Sequence, residues 1–164
     1  LFRKGQGNNP AIFISHSQDD REQAAMVVSL LRAAFCLPAH TIRCTGVDGY
    51  RLACGTDTDK TLKREVRDCK VLIVLVSESS AQSAYVTFEL GARWVLSKPL
   101  FPLLIGGGSA ALLKGPLSGY NALNARAPGQ LDQMISELAR LLGLFPEPPA
   151  VYREVIQAFQ TNGH

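Results

Sequence analysis

The chain has 164 residues, 46% of them hydrophobic and 19% charged, which suits one globular domain with a single core and leaves little for a second. Its formal net charge is +3, but cations and acids alternate, as in Asp59-Lys60, Lys63-Arg64-Glu65 and Arg67-Asp68, so no basic block offers a nucleic-acid footprint. The longest apolar run, Val71 to Val76, is far too short to cross a bilayer, and the N-terminus has no signal-peptide pattern, so a cytoplasmic protein without membrane contact is expected.

Residues 1–10 read as a linker, and a start at Leu1 suits a domain cut from something longer. Ala11-Ile12-Phe13-Ile14-Ser15 predicts a first strand, and Ser17-Gln18-Asp19-Asp20 offers a serine N-cap with acids in the first turn of a helix. Ala24, Val27, Val28, Leu31 and Phe35 recur at helical spacing until Pro38 closes the element. Thr41 to Thr45 predicts a second strand. The Gly- and Asp-rich loop from Gly46 to Asp57 is long enough to suggest function, and few apolar anchors (Val47, Tyr50, Leu52) suggest mobility.

Asp59 to Cys69 reads as a charged surface helix, and Val71 to Val76 as a strand buried on both faces, which implies a parallel sheet with helices on either side. A serine-rich run, Ser77 to Ser83, leads into an apolar helix, Ala84 to Leu96. Pro99 to Ile105 predicts a fourth strand weakened by Pro102, and Tyr120 to Leu123 a short fifth. Gln130 to Leu142 is an amphipathic helix ending at Gly143, followed by the stiff break Phe145-Pro146-Glu147-Pro148-Pro149 and a helical piece from Val151 to Phe159. The alternation predicts a doubly wound, flavodoxin-like α/β sheet of about five parallel strands with helices on both faces.

Several chemistries lack their motifs. The four cysteines form no C-x-x-C and no histidine clusters with them, so no metal site is expected and the thiols read as reduced. Gly106 to Ala111 formally fits G-x-G-x-x-A but follows the fourth strand rather than the first, so it reads as a turn. Neither a P-loop nor a G-x-S-x-G elbow is present.

One residue asks for an explanation. Glu89 is the only acid in the apolar 84–96 helix, where a carboxylate is costly unless paired or used. The plain alternative is an ion pair with Arg93 at i+4. Tyr85 lies one turn away on the same face, and His16 follows the first strand, whose end neighbours that of the third in a parallel sheet. Taken singly, Tyr85 reads as packing and His16 as a backbone cap; together they describe a site at strand ends, where open α/β sheets bind ligands.

These residues also resemble a family. Ile12-Phe13-Ile14-Ser15-His16 resembles the F-I-S-[YH] box of Toll/interleukin-1 receptor (TIR) domains, Leu52-Ala53-Cys54-Gly55 the L-x-x-G of their BB loop, Val71 to Ser77 their central strand, and Ser83 to Leu90 their S-x-[WY]-x-x-x-E-[LI] helix opening. The likeness covers about Ala11 to Leu144, giving a TIR domain over 11–144 and a Pro-rich break and helical tail over 145–164. It implies an NAD+ nucleosidase of the bacterial kind, the effector of a defence or cell-death system switched on by oligomerisation. Glu89 would be catalytic. Ser15, His16, Tyr50, Gly55 and Tyr85 would bind substrate, with NAD+ as substrate and no cofactor. It further implies self-association through TIR–TIR contacts including the 46–57 loop, which would complete the pocket, and a sensor domain or partner outside this chain. Tyr85 stands where many members have Trp, and Gly46 to Arg51 lacks the R-D-x-x-P-G of animal receptor adaptors. Two other readings are a non-catalytic TIR interaction module and a nucleoside ribosyltransferase-like enzyme.

Overall fold

The structure, a computed structural model, describes residues 9–161; most of the expected linker and the last three residues lie outside that range. Five strands, β1 (Ile12–Ser15), β2 (Ile42–Arg43), β3 (Val71–Val76), β4 (Leu100–Leu104) and β5 (Leu123–Asn124), form one sheet in the order β2-β1-β3-β4-β5, every pairing parallel. This is the expected doubly wound sheet. All six residues of β3 are buried, because helices cover both of its faces.

Alternate side chains divide the core in two. Ile12, Ile14, Ile73 and Leu75 face one side with α1 (Arg21–Phe35), α5 (Gln130–Leu142) and α6 (Pro149–Thr161). Phe13, Leu72, Val74 and Val76 face the other, with Leu62 and Val66 of α2 (Thr58–Asp68) and Val86 and Leu90 of α4 (Ala84–Val95). The tail helix α6 buries Tyr152, Ile156 and Phe159 in the first of these cores, beside α1.

Local chemistry accounts for the departures from expectation. Ser17 stands before a single 3-10 turn (Gln18–Asp20) but does not cap it; its hydroxyl donates to Asp20 instead. The serine-rich run contains a short helix, α3 (Glu78–Gln82), held by reciprocal Ser77 and Ser80 hydrogen bonds that a propensity argument undervalues. The fifth strand falls at Leu123–Asn124, not Tyr120 to Leu123, where it pairs Leu103 and Leu104. Pro102 is tolerated in β4 because β5 begins alongside Leu103, past the proline. The 106–108 glycine run is a turn: a Cβ on Gly108 would lie 2.5 Å from the Val76 carbonyl oxygen.

Candidate active site

The strand order reverses between β1 and β3, and their carboxyl ends are joined by a buried polar knot. Asp20, 7% exposed, accepts the hydroxyls of Ser17 (2.5 Å) and Ser77 (2.6 Å) on one carboxylate oxygen. Ser77 Oγ also accepts the Ser80 amide, while Ser80 Oγ accepts the Ser77 amide. One carboxylate thus ties the segment after β1 to the capping box after β3.

His16 and Ser15 sit beside this knot. His16 Nδ1 lies 2.6 Å from the Ser17 carbonyl oxygen, and since a carbonyl only accepts, Nδ1 carries a proton. The ring rests on Gly46, where a Cβ would come within 2.2 Å of His16 Cε1 and 2.6 Å of Nε2; the first loop residue must therefore be glycine for the ring to stay. His16 Nε2 and the Oγ of Ser15, which is 1% exposed, are buried without a hydrogen-bond partner among the described residues. Both are polar atoms held in reserve at the end of β1.

The loop wall is more firmly held than its composition suggests. Arg43 makes a bidentate pair with Glu65 of α2 (2.6 and 2.8 Å) and donates to the carbonyls of Tyr50 (3.1 Å) and Arg51 (2.6 Å). Backbone bonds Cys44 to Tyr50, Val47 to Cys44 and Tyr50 to Val47 close the first half of the loop, and Leu52 packs against the α2 and α4 core. Ala53, Cys54 and Gly55 form its longest exposed stretch, with Asp48 and Gly49 a shorter one. The base of the loop is tied to α2 in this way, because one largely buried cation gathers the Tyr50 and Arg51 carbonyls.

A cleft of about 570 Å³ opens above these groups, lined by His16, Ser17, Arg21, Gly46, Arg51, Leu52, Thr58, Asp59, Leu62 and Ser83. The first turns of two helices meet there: α2, capped by Asp57 accepting the Lys60 amide, and α4, capped by Ser83 accepting the Val86 amide. Arg21 and Arg51 flank the same space, both reaching Asp48 (3.6 and 3.1 Å). Two helix N-termini and two guanidinium groups thus face this space, with Asp48 shared between the arginines and Asp59 on the lining.

Glu89 lies six residues into α4 from Ser83, roughly 9 Å along the axis at the α-helical rise. It is 3% exposed and borders a groove of about 1140 Å³ between α2 and α4, with Leu62, Val66, Ala92 and Trp94. Asp59 and Leu62, in the first turns of α2, line both the cleft and the groove. Arg93, fully buried, directs its guanidinium to main-chain carbonyls: Val66 (3.0 Å), Arg67 (3.4 Å) and Pro99 (3.2 and 3.3 Å). Burial pulls the Arg93 pKa down, and burial pushes the neighbouring Cys69 thiol up to about 11, with the Glu89 carboxylate adding to that rise.

The remaining expected site residues are dispersed. Tyr50 packs toward the α1 core and its hydroxyl accepts from Arg32 (2.9 Å), so it does not line the cleft. Gly55, with φ +79°, sits exposed at the loop tip. Tyr85 is on the first turn of α4, but its side chain is outside the described set. Asp20, Arg21, Arg43, Arg51 and Ser77 were not anticipated; a buried role for Asp20 and Arg43 depends on contacts 57 and 22 residues away in sequence. All four cysteines are unpaired, and no described helix is long and apolar enough to cross a membrane. Among the described residues, no group of three or more His, Cys, Asp and Glu is placed to hold a metal ion.

Comparison with known proteins agrees with this architecture. A family model described as TIR domain matches residues 12–141, and the chain belongs to that family. Among solved structures it is similar to the TIR domain of the Toll-related receptor TRR-2 from the lower metazoan Hydra magnipapillata, with a TM-score of 0.55 and 15% identity over 93% of this chain and all of that one. At that identity the likeness is one of fold. No curated protein sequence matches the chain.

Proposed function

We propose that this TIR domain cleaves NAD+ between nicotinamide and ribose, with Glu89 as the catalytic carboxylate. The observation that carries the reading is the placement of Glu89: a buried carboxylate bordering a groove that shares Asp59 and Leu62 of α2 with the cleft at the sheet's switch point. A dinucleotide running along α2 would set its pyrophosphate at the N-termini of α2 and α4, near Arg21 and Arg51, and direct one ribose toward α4.

The chemistry asks little of such a site. The nicotinamide ring nitrogen is already positively charged, so the group leaves neutral and needs no general acid, while positive charge grows on the ribosyl carbon until water adds there and gives up a proton, leaving ADP-ribose. A carboxylate in a desolvated wall stabilises that charge more strongly than one in water. His16 Nε2 and Ser15 Oγ, buried beside the cleft, supply polar atoms for ribose or phosphate on a small movement of Gly46.

By this reading the domain is the effector of a cytoplasmic bacterial defence or cell-death system, NAD+ is its substrate rather than a cofactor, and TIR–TIR assembly regulates it through a sensor elsewhere. A non-catalytic TIR interaction module is the second reading, favoured by the exposed Trp94, Val95 and Leu96 at the end of α4. Incubation with NAD+ separates the two. Release of nicotinamide that rises in specific activity with protein concentration supports an assembly-regulated enzyme. No release at any concentration from folded, assembled protein refutes the catalytic reading.

A further inference from the structure

The polar knot at the ends of β1 and β3 has a definite hydrogen-bond direction, and Asp20 sets it. A carboxylate only accepts, so the hydroxyls of Ser17 (2.5 Å) and Ser77 (2.6 Å) both donate to it. Ser77 Oγ, its proton committed to Asp20, is left to accept the Ser80 amide (3.0 Å) in the capping box of α3. Ser17 is gripped by Asp20 at two points: the carboxylate takes its hydroxyl, and the Asp20 amide donates to its carbonyl oxygen (3.1 Å). Ser17, Asp20, Ser77 and Ser80 are all buried, so water does not compete for these bonds.

The Ser17 carbonyl that Asp20 holds is the one His16 Nδ1 meets at 2.6 Å, so the direction of the knot passes on to the imidazole. With the proton on Nδ1, the Nε2 of a neutral ring carries a lone pair and can only accept. On its other side the ring meets Gly46, close enough that even a Cβ there would clash with Cε1 and Nε2. The imidazole is thus wedged between the Ser17 carbonyl and the loop. Nε2 and the neighbouring Ser15 Oγ are buried and without a hydrogen-bond partner among the described residues, and His16 and Ser17 both line the cleft.

We infer that Asp20 is a positioning residue: through Ser17 it fixes His16 in the Nδ1–H tautomer, so that Nε2 accepts a hydroxyl of the ligand's sugar and rejects its phosphate. A phosphate oxygen brings only lone pairs to a nitrogen that already presents one, and the two repel. A ribose hydroxyl brings the proton that Nε2 lacks. Ser15 Oγ can both donate and accept, which suits the adjacent hydroxyl of the same ring. The positioning role of Asp20 needs no nucleotide, whereas the sugar assignment rests on the NAD+ reading.

The test is nitrogen NMR of the imidazole rings in isotope-labelled protein. The chain has three histidines, and the signals lost in His16→Gln identify the ring. Under mildly alkaline conditions wild-type His16 should carry its proton on Nδ1. Asp20→Ala and Ser17→Ala should each move the ring toward the Nε2–H form, while Asp20→Asn, which keeps an acceptor oxygen, should retain most of the wild-type signal. Ser17→Ala decides the matter if Asp20→Ala does not fold. Ser77→Ala is the structural control: it takes the other hydroxyl from the same carboxylate and should lower the unfolding midpoint without changing the tautomer. Excess ADP-ribose should displace the Nε2 resonance and leave that nitrogen unprotonated; inorganic pyrophosphate should not displace it. An Nε2–H ring in the wild type, a wild-type tautomer in folded Asp20→Ala or Ser17→Ala, or an equal shift in Ser77→Ala would overturn the positioning role. Protonation of Nε2 on adding ADP-ribose, no displacement by it, or displacement by pyrophosphate would overturn the sugar assignment. Absence of nicotinamide release with all the expected spectra in hand would count against NAD+ cleavage alone.

Discussion

Replacing Arg43 by methionine should be the most damaging single change near the cleft that touches no proposed substrate contact. Arg43 is 17% exposed and its partner Glu65 2%, so the pair is largely out of water. The substitution removes four hydrogen bonds, two to the carboxylate and one each to the Tyr50 and Arg51 carbonyls, and strands the Glu65 carboxylate. Breaking one side of a buried pair costs about 3–5 kcal/mol, against a total stability of roughly 5–15 kcal/mol for a domain. At about 2–4 °C per kcal/mol for a chain of this size, the melting temperature should fall by roughly 6–20 °C. The assay is urea unfolding followed by Trp94 fluorescence and by circular dichroism, run on Arg43→Met, Glu65→Leu and the double variant. The double variant should be less damaged than the sum of the singles, because removing both charges leaves no stranded group. A loss under about 1 kcal/mol for Arg43→Met, with no coupling in the cycle, would refute the claim that this pair holds the loop wall.

Other consequences are open to measurement. Gly46→Ala should push the His16 ring off the loop and break its contact with the Ser17 carbonyl, lowering stability by about 1 kcal/mol or more; an unchanged unfolding midpoint would show that the ring adapts freely. Arg93→Ala should destabilise strongly, as three carbonyls lose a buried donor, and more than Glu89→Gln does; equal losses would favour the ion-pair view of Glu89. At pH 8 a thiol reagent should label exposed Cys54 first and Cys36 more slowly, its pKa being raised chiefly by its hydrogen bond to Glu147, with Cys44 and Cys69 reacting only on unfolding. Burial pushes Cys44 up to about 12 and Cys69 to about 11, so the folded state holds protons that the unfolded state has released above pH 9. Stability should therefore be full below pH 9 and fall as pH rises toward 11–12, with a shallower fall in Cys44→Ala.

Much of the fold was legible because it rests on local patterns. The six-residue apolar run of β3 announces a strand covered on both faces, and the 3.6-residue spacing in α1 and α5 carries through to the buried sides of both helices. What escaped rests on contacts distant in sequence. Asp20 reads as a helix-start acid until Ser77 approaches it, and the loop from Gly46 reads as mobile until Arg43 collects its carbonyls. Glu89 was legible as an anomaly, the one acid on an apolar helix; that it borders a groove sharing Asp59 and Leu62 with the His16 cleft depends on how α2 lies against α4.

The central claim is tested most directly by mixing purified protein, at concentrations high enough to assemble, with NAD+ and following free nicotinamide by chromatography for wild type and Glu89→Gln side by side. The account predicts nicotinamide release by the wild type and a loss of about a hundredfold or more in the folded variant, since the amide keeps the size of the side chain but not its charge. Equal release by both proteins, or none from assembled wild type, would contradict it.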